Sequence, residues 1–136
     1  MMIHSMPIHT LDVRSASEGE YRALNDFENR LQAEELPDDP PMPLAEAVQR
    51  WRHIPAFVEL FHWVIWQPER SAIMAVASAE LLQLDTNQHV MECHIAVLPE
   101  FRRQGIARAL LVPLVELAQR AQRRLLIGFT NERVPA

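Results

Sequence analysis

A buried strand, an arginine-rich turn, a long amphipathic helix and a second apolar strand follow one another between residues 95 and 130. The first strand ends near residue 98, and Gly105 stands where the helix begins. Apolar residues then recur at helical spacing: Ile106, Leu110, Leu111, Leu114, Leu117 and Ala121. Residues 124–130 are again typical of a strand. Two strands joined across a helix lie parallel in one sheet through a right-handed crossover, so this stretch predicts a βαβ unit.

Pro113 falls inside this helical pattern, where it deletes one backbone hydrogen bond at a cost of roughly 3 kcal/mol. A helix that ended at Val112 would leave the apolar stripe from 114 to 121 unexplained. We therefore expect one helix over residues 104–123 with a bend at the proline.

Two helices are predicted in the first half of the chain. Ser17 and Glu20 have the spacing of a capping box, and apolar residues at helical spacing follow, which predicts a helix over residues 17–36. The proline-rich stretch 37–41 is a loop, and Pro43 suits the first turn of a second helix. The buried stripe expected on that helix consists of Leu44, Val48, Trp51 and Ile54.

The remaining segments are typical of strands. They comprise a short extended segment at 7–13, an antiparallel pair at 57–66 and 71–84, and a third run at 88–98. The predicted order is β-α-α-β-β-β-α-β. The sequence thus predicts an α/β fold with a mixed sheet, as one domain over residues 1–136.

Composition narrows the classes of function. About half of the 136 residues are apolar and 23% are charged, no apolar run approaches the ~20 residues of a membrane span, and the start does not resemble a signal peptide. A cytoplasmic protein with no membrane partner is therefore expected. The single cysteine, Cys93, excludes an internal disulfide and a cysteine metal cluster, and the six histidines lack ligand spacing, so no metal is expected.

Charge is distributed unevenly. Residues 1–101 carry six Arg against sixteen acids, whereas residues 102–136 carry seven Arg against two. An acidic protein with one basic end is not typical of a general nucleic-acid binder, although the arginine-rich helix keeps that class as a rival hypothesis. The basic end is suited to a small polyanion. Arg102, Arg103 and Arg108 surround a predicted helix N-terminus, whose free amides and dipole attract anions, and Gly105 lets a phosphate approach closely.

These residues carry a resemblance to a known family. Arg102-x-x-Gly105-x-Ala107 resembles the Q/R-x-x-G-x-G/A signature of the GNAT superfamily of N-acetyltransferases. Flanking residues and the order of elements extend the match, which is specific over residues 95–111. The resemblance implies the GNAT acyl-CoA N-acyltransferase fold and transfer of acetyl from acetyl-CoA to an amine by direct attack.

The resemblance also implies the donor-binding residues. The strand before the signature would be bulged, and its backbone would pair with the pantetheine arm and the acetyl carbonyl. Turn amides would hold the pyrophosphate, with Arg102 bracing the turn. The implied donor-binding residues are Ala96, Val97, Arg102, Arg103, Gln104, Gly105, Ile106, Ala107, Arg108 and Asn131.

Such a reaction needs a base that takes a proton from the acceptor ammonium. Glu92 and His94 share a face of the strand before the signature and are the candidates. The alternative for both is a structural or solvent-facing role. The acidic stretch 34–39 would attract a cationic amine, although it also fits a solvated loop.

The family continues beyond its fifth strand with a further helix and two strands, and a tyrosine on that helix often protonates the leaving thiolate. The only tyrosine here is Tyr21, on the first helix, and the sequence stops at Ala136. Three explanations are open: part of a longer or tandem acetyltransferase, a partner chain that completes the sheet, such as a second copy, or a module that binds acyl-CoA without turnover. We favour the first, because the last strand would otherwise expose a hydrophobic edge.

Overall fold

The computed structural model describes residues 6–69, 71–82 and 90–129, and within them the predicted order of elements is confirmed. The fourth strand is followed by a single 3₁₀ turn, Pro99–Phe101, which leads into the last helix. The elements are β1 (His9–Leu11), α1 (Glu18–Glu35), α2 (Leu44–Arg52), β2 (Val58–Trp66), β3 (Ile73–Leu82), β4 (Val90–Val97), α3 (Ile106–Ala121) and β5 (Arg124–Phe129).

The five strands form one mixed sheet in the order β1-β2-β3-β4-β5. The first three pairings are antiparallel, and β4 and β5 are parallel, which confirms the crossover through α3. The described register of β4 is regular against both neighbours, from Glu92 to Val97 on the β3 side and from Val90 to Ile95 on the β5 side. The bulge that the resemblance implied is therefore not present in these pairs.

The two faces of the sheet carry different helices. On one face α3 packs against the alanine-rich strand β3 and against β4 through its buried residues Ile106, Leu110, Leu114, Leu117 and Ala118. It is one helix that runs through Pro113, as predicted. On the other face lies α1, whose buried apolar residues are Tyr21, Ala23, Leu24, Phe27 and Leu31.

Local interactions define α1. The capping box between Ser17 and Glu20 is present with both of its hydrogen bonds, at 3.1 and 2.9 Å, as the sequence predicted. The buried Tyr21 donates its hydroxyl to the carbonyl of Val13 at 2.8 Å and stacks on Trp51 of α2. The one tyrosine of the chain is thus part of the packing between α1 and its neighbours.

The predicted stripe of α2 is only half-buried, and Ala47 is the one buried residue of that helix. A cavity of about 390 Å³ lies between α1 and α2, and two residues of the stripe, Trp51 and Ile54, line it. None of the helices in the described ranges is both long and apolar enough to span a membrane.

Candidate functional site

The turn between β4 and α3 is built from backbone conformations that a continuous helix would not allow. After the 3₁₀ turn, Arg103 takes a φ of 63° and Gly105 a φ of 82°, both in the left-handed region. Glycine adopts this region without the steric cost that a Cβ imposes, which explains its position as the N-cap of α3. Two residues in the left-handed region thus precede the first turn of α3.

The N-terminus of α3 is open to a ligand. Its first internal hydrogen bond runs from the Ala109 amide to the Gly105 carbonyl at 3.0 Å, and the N-cap residue, Gly105, has no side chain that could cap the amides preceding it. Within the described ranges, a Cβ placed on Gly105 would meet no atom within 4 Å, so the space on that side of the glycine is open. Uncapped amides at the positive end of a helix dipole form an anion site.

A second feature of the turn is an ion pair that ties it to α1. The guanidinium of Arg102 donates two hydrogen bonds to the carboxylate of Glu34, both at 2.8 Å, while its Nε donates to the carbonyl of Val97, also at 2.8 Å. The side chains of the pair are only 27% and 24% exposed. Arg102 therefore links the end of β4, the turn and α1.

A second ion pair between α1 and the turn lies one helical turn away from the first. Arg30 donates two hydrogen bonds of 2.8 Å to the carboxylate of Glu100, with both side chains about half exposed. The hydrogen bond from Arg30 lowers the pKa of Glu100. The two pairs have opposite polarity, with arginine on α1 in one and on the turn in the other. Together they form what we call the double clamp: Arg30–Glu100 and Glu34–Arg102.

The end of β4 lies beside this turn. Its pairing with β5 reaches Ile95, opposite Phe129, which is the last residue described in that strand. Ala96 and Val97 continue the strand and pair with β3 on the other side, opposite Val76 and Ala75. Ala96 faces α1, and Val97 faces α3. On the β5 side, the positions opposite these two residues would follow Phe129 and lie outside the described ranges.

A groove of about 300 Å³ lies between α1 and the sheet and reaches Ala96. Its floor carries a row of polar side chains across three strands, because His62 of β2 lies opposite Ser78 of β3, which lies opposite His94 of β4. The wall formed by α1 carries polar groups among apolar ones. The residues of α1 and its C-terminal end that line the groove are Phe27, Glu28, Leu31, Gln32, Glu35 and Leu36.

His62 is the most enclosed of these polar groups. Its Nδ1 has no hydrogen-bond partner among the described residues, and burial lowers the pKa of the imidazole to about 4. The nearby charge of Asp12 opposes this shift but is the smaller effect. His62 is therefore neutral at physiological pH and leaves an unused nitrogen at the floor of the groove.

Glu28 is placed where the groove meets the cavity under α2. Its side chain is exposed to the solvent of both, and desolvation by the surrounding protein raises its pKa to about 7. Arg50 of α2 acts in the opposite direction and lowers the pKa by a smaller amount. This carboxyl group therefore changes charge near neutral pH.

Comparison with known sequences identifies the architecture. The sequence profile of the acetyltransferase (GNAT) family matches residues 24–134. The chain belongs to this family. A comparison with curated proteins gives no significant match. The GNAT resemblance found at residues 95–111 is thereby confirmed, and with it the fold class.

Solved GNAT structures share the fold. A tandem GNAT protein from the clavulanic acid biosynthesis pathway has a TM-score of 0.68 and 23% identity, over 89% of this chain and 36% of its own. An acetyltransferase from Trypanosoma brucei gives 0.63 and 17%, over 95% and 84%. An aminoglycoside N-acetyltransferase in complex with CoA gives 0.58 and 16%, over 96% and 78%. This chain spans about a third of the tandem protein.

The structure places most of the sequence-predicted donor residues around one turn. The residues from Arg103 to Ala107 form the turn and the helix start, Arg108 is exposed in the first turn of α3, and Gln104 donates weakly to the Glu100 carbonyl at 3.4 Å. Arg102 is held by Glu34 and Val97, so its contribution is to brace the turn. Asn131 lies outside the described residues.

The two predicted bases share one face of β4, and both are exposed. His94 lines the groove, whereas Glu92 lies opposite Glu80 and is not among the residues that line it. The described residues also bring no three His, Cys, Asp or Glu side chains together as a metal-binding group.

Glu28 was not among the residues predicted from the sequence. It follows Leu24 by four residues, so helical spacing places it at the border of the buried stripe of Leu24, Phe27 and Leu31, but its side chain is exposed. A carboxylate beside an apolar stripe is by itself no signal of a site, and only the two cavities that Glu28 lines distinguish it.

Proposed function

We propose that this chain is an acetyl-CoA-dependent N-acetyltransferase domain that transfers acetyl to an amine bound in the groove. The observation that carries the proposal is the open N-terminus of α3, held beside the end of β4 by the double clamp. Membership of the acetyltransferase (GNAT) family supports it, as does the related fold of an aminoglycoside N-acetyltransferase in complex with CoA.

The residues of the turn fit a pyrophosphate. The uncapped amides supply donors, Gly105 leaves space for a phosphate, and the exposed Arg103 and Arg108 add positive charge within reach of the helix end. We propose that the backbone of Ala96 and Val97 on the β5 side pairs with the pantetheine arm. Bound acetyl-CoA would supply a thioester carbonyl carbon that an amine attacks.

The groove is our proposed acceptor site because it reaches the same part of β4. Ala96 lines the groove, and we propose that its backbone pairs with the acyl-CoA, so an amine in the groove would lie next to the acyl group. The polar row at the floor would orient the amine. The apolar residues of α1 would contact the rest of the acceptor.

The donor site is tested by calorimetric titration of acetyl-CoA into the 136-residue chain. We expect saturable binding near micromolar Kd, and weaker binding of adenosine diphosphate, which carries the pyrophosphate but not the pantetheine arm. A folded chain that binds neither ligand would refute the proposed site. Binding of acetyl-CoA without turnover of any amine would instead favour a non-catalytic acyl-CoA-binding domain.

The reaction is tested by following thiol release from acetyl-CoA with a panel of primary amines. Glu92→Gln and His94→Gln test the two bases proposed from the sequence. His94 lines the groove, so its removal should lower kcat/KM, whereas Glu92→Gln should leave it near the wild-type value. Unchanged acetyl-CoA affinity in both variants would separate an effect on the acceptor side from an effect on the donor.

A further inference from the structure

Glu28 is an exposed ionisable group that lines both the groove and the cavity under α2. It lies on the wall formed by α1, facing a floor that includes Ser78, His94 and Ala96. Unlike Glu92, it contributes directly to the lining. It is also continuous with the second cavity, so solvent can reach it when the groove is filled.

The charged and titratable groups around Glu28 come from every neighbouring element. Arg50 approaches from α2, His62 from β2 and His94 from β4, while Glu35 lies further along the same face of α1. His62 is neutral because burial lowers its pKa to about 4. Arg50 favours the carboxylate form of Glu28, but desolvation is the larger effect and favours the neutral acid.

We propose that the groove binds a primary amine carried on an apolar group, with its ammonium facing Glu28, and that the Glu28 carboxylate accepts the proton which this ammonium loses before attack. The inference rests on the proposed function and names the acceptor class and the base for it. The apolar lining from Phe27, Leu31, Leu36 and Val76 matches the apolar part of such a ligand.

The proposed reaction begins when the ammonium gives one proton to Glu28. The freed nitrogen lone pair then forms the C–N bond to the thioester carbonyl carbon. The C–S bond then breaks, the second nitrogen proton goes to the thiolate, and the protonated Glu28 releases its proton to solvent through the adjoining cavity. A base whose pKa is about 7 is well matched to this work at neutral pH.

Recognition is tested without turnover, by titrating phenethylamine and its uncharged analogue 2-phenylethanol into the protein, both with and without CoA, between pH 5.5 and 8.5 and following binding by NMR. Amine affinity should rise as pH increases through about 7, where the carboxyl ionises. Glu28→Gln should weaken the amine about 10-fold at pH 8 and remove this rise, because it removes one charge-assisted hydrogen bond. Binding of 2-phenylethanol should not change.

The matched control is Glu46→Gln, which removes an exposed carboxylate of α2 that lines neither cavity. Equal amine affinity in wild type and Glu28→Gln, pH-independent affinity, or no amine binding at millimolar concentration would each overturn the proposal. Circular dichroism of each variant confirms that it is folded.

The base role is tested by the pH profile of kcat/KM on whichever panel amine is acetylated. Glu28→Gln should lower the rate about 10²- to 10⁴-fold and abolish the acidic limb near pH 7, whereas His94→Gln should keep that limb. The reverse pattern would assign the proton to His94 and overturn the inference. Failure of acetyl-CoA to bind, with the amine result intact, would instead refute the proposed function alone.

Discussion

The clearest quantitative prediction concerns Arg102 and the two ion pairs of the double clamp. Arg102→Gln removes both hydrogen bonds to Glu34 and the one from Nε to the Val97 carbonyl, all at 2.8 Å. A pair at the surface contributes about 0.2–1 kcal/mol, and a hydrogen bond to a charged group about 1.5–3 kcal/mol. Because these side chains are only about a quarter exposed, we expect a total loss of about 2–3 kcal/mol.

The Arg30–Glu100 pair provides the matched comparison. It has the same bidentate geometry and the same distances, but its side chains are 50% and 46% exposed. Among the described residues, the Arg30 side chain also donates no hydrogen bond to a backbone carbonyl. Solvent screening should therefore reduce the cost of Arg30→Gln to about 0.5 kcal/mol or less. The difference between the two losses of unfolding free energy therefore measures the combined effect of burial and of the hydrogen bond to Val97.

Urea unfolding gives the free energies, and a double-mutant cycle with Glu34→Gln isolates the pairwise energy of Arg102 and Glu34, which we expect to be about 1 kcal/mol. Arg102→Gln should also weaken acetyl-CoA binding, because the turn that supplies the amides loses its brace. If Arg30→Gln destabilises the protein as much as Arg102→Gln, our interpretation of burial at this clamp is wrong.

Three further changes have defined outcomes. Gly105→Glu should abolish acetyl-CoA binding, because the new side chain and its negative charge would occupy the space proposed for a phosphate. The fold should survive a strain of about 1–2 kcal/mol at positive φ, because that space is open. Calorimetry measures the affinity, with Gly19→Ala as a control that retains it. For His62 the folded pKa of about 4 lies below the ordinary 6.5, so up to about 3 kcal/mol of stability should be lost as pH falls from 6.5 to 4, and unfolding of His62→Leu should lose that pH dependence. The thiol of Cys93 is buried and its pKa is raised to about 11, so it should react with a thiol reagent only at the rate of unfolding, and fast labelling of the native chain would contradict that burial.

The fold could be read from the sequence because its signals are local or periodic. The capping box at Ser17 depends on residues three apart, and α3 and its crossover depend on an apolar stripe and a following strand. The family signature at Arg102, Gly105 and Ala107 added the donor turn. The continuity of α3 through Pro113 was also predicted, because the stripe beyond the proline needed a helix to be buried.

The groove could not be read in the same way, because it depends on register between strands. Strand alternation shows that His62 and His94 each face one side, but only the pairing through Ser78 places them in one row. The half-burial of α2 could not be predicted either, because the apolar stripe of a helix does not show how closely a second helix packs against it. Glu28 was not visible beforehand either, because it lies exposed beside the buried stripe of α1 and only the two cavities that it lines distinguish it.

The ion pairs of the double clamp could not be predicted from residues that are close in sequence. Arg30 and Glu34 are four residues apart on α1, a spacing at which opposite charges on a helix stabilise each other. The structure directs both to partners 70 and 68 residues away, Glu100 and Arg102, with the polarity reversed between the two pairs. A helix shifted by one turn in either direction would set Glu34 against Glu100 or Arg30 against Arg102, which are like charges. Since α1 also carries Glu28 and Glu35 of the groove wall, the same charges that hold the proposed donor turn fix the position of the proposed acceptor wall.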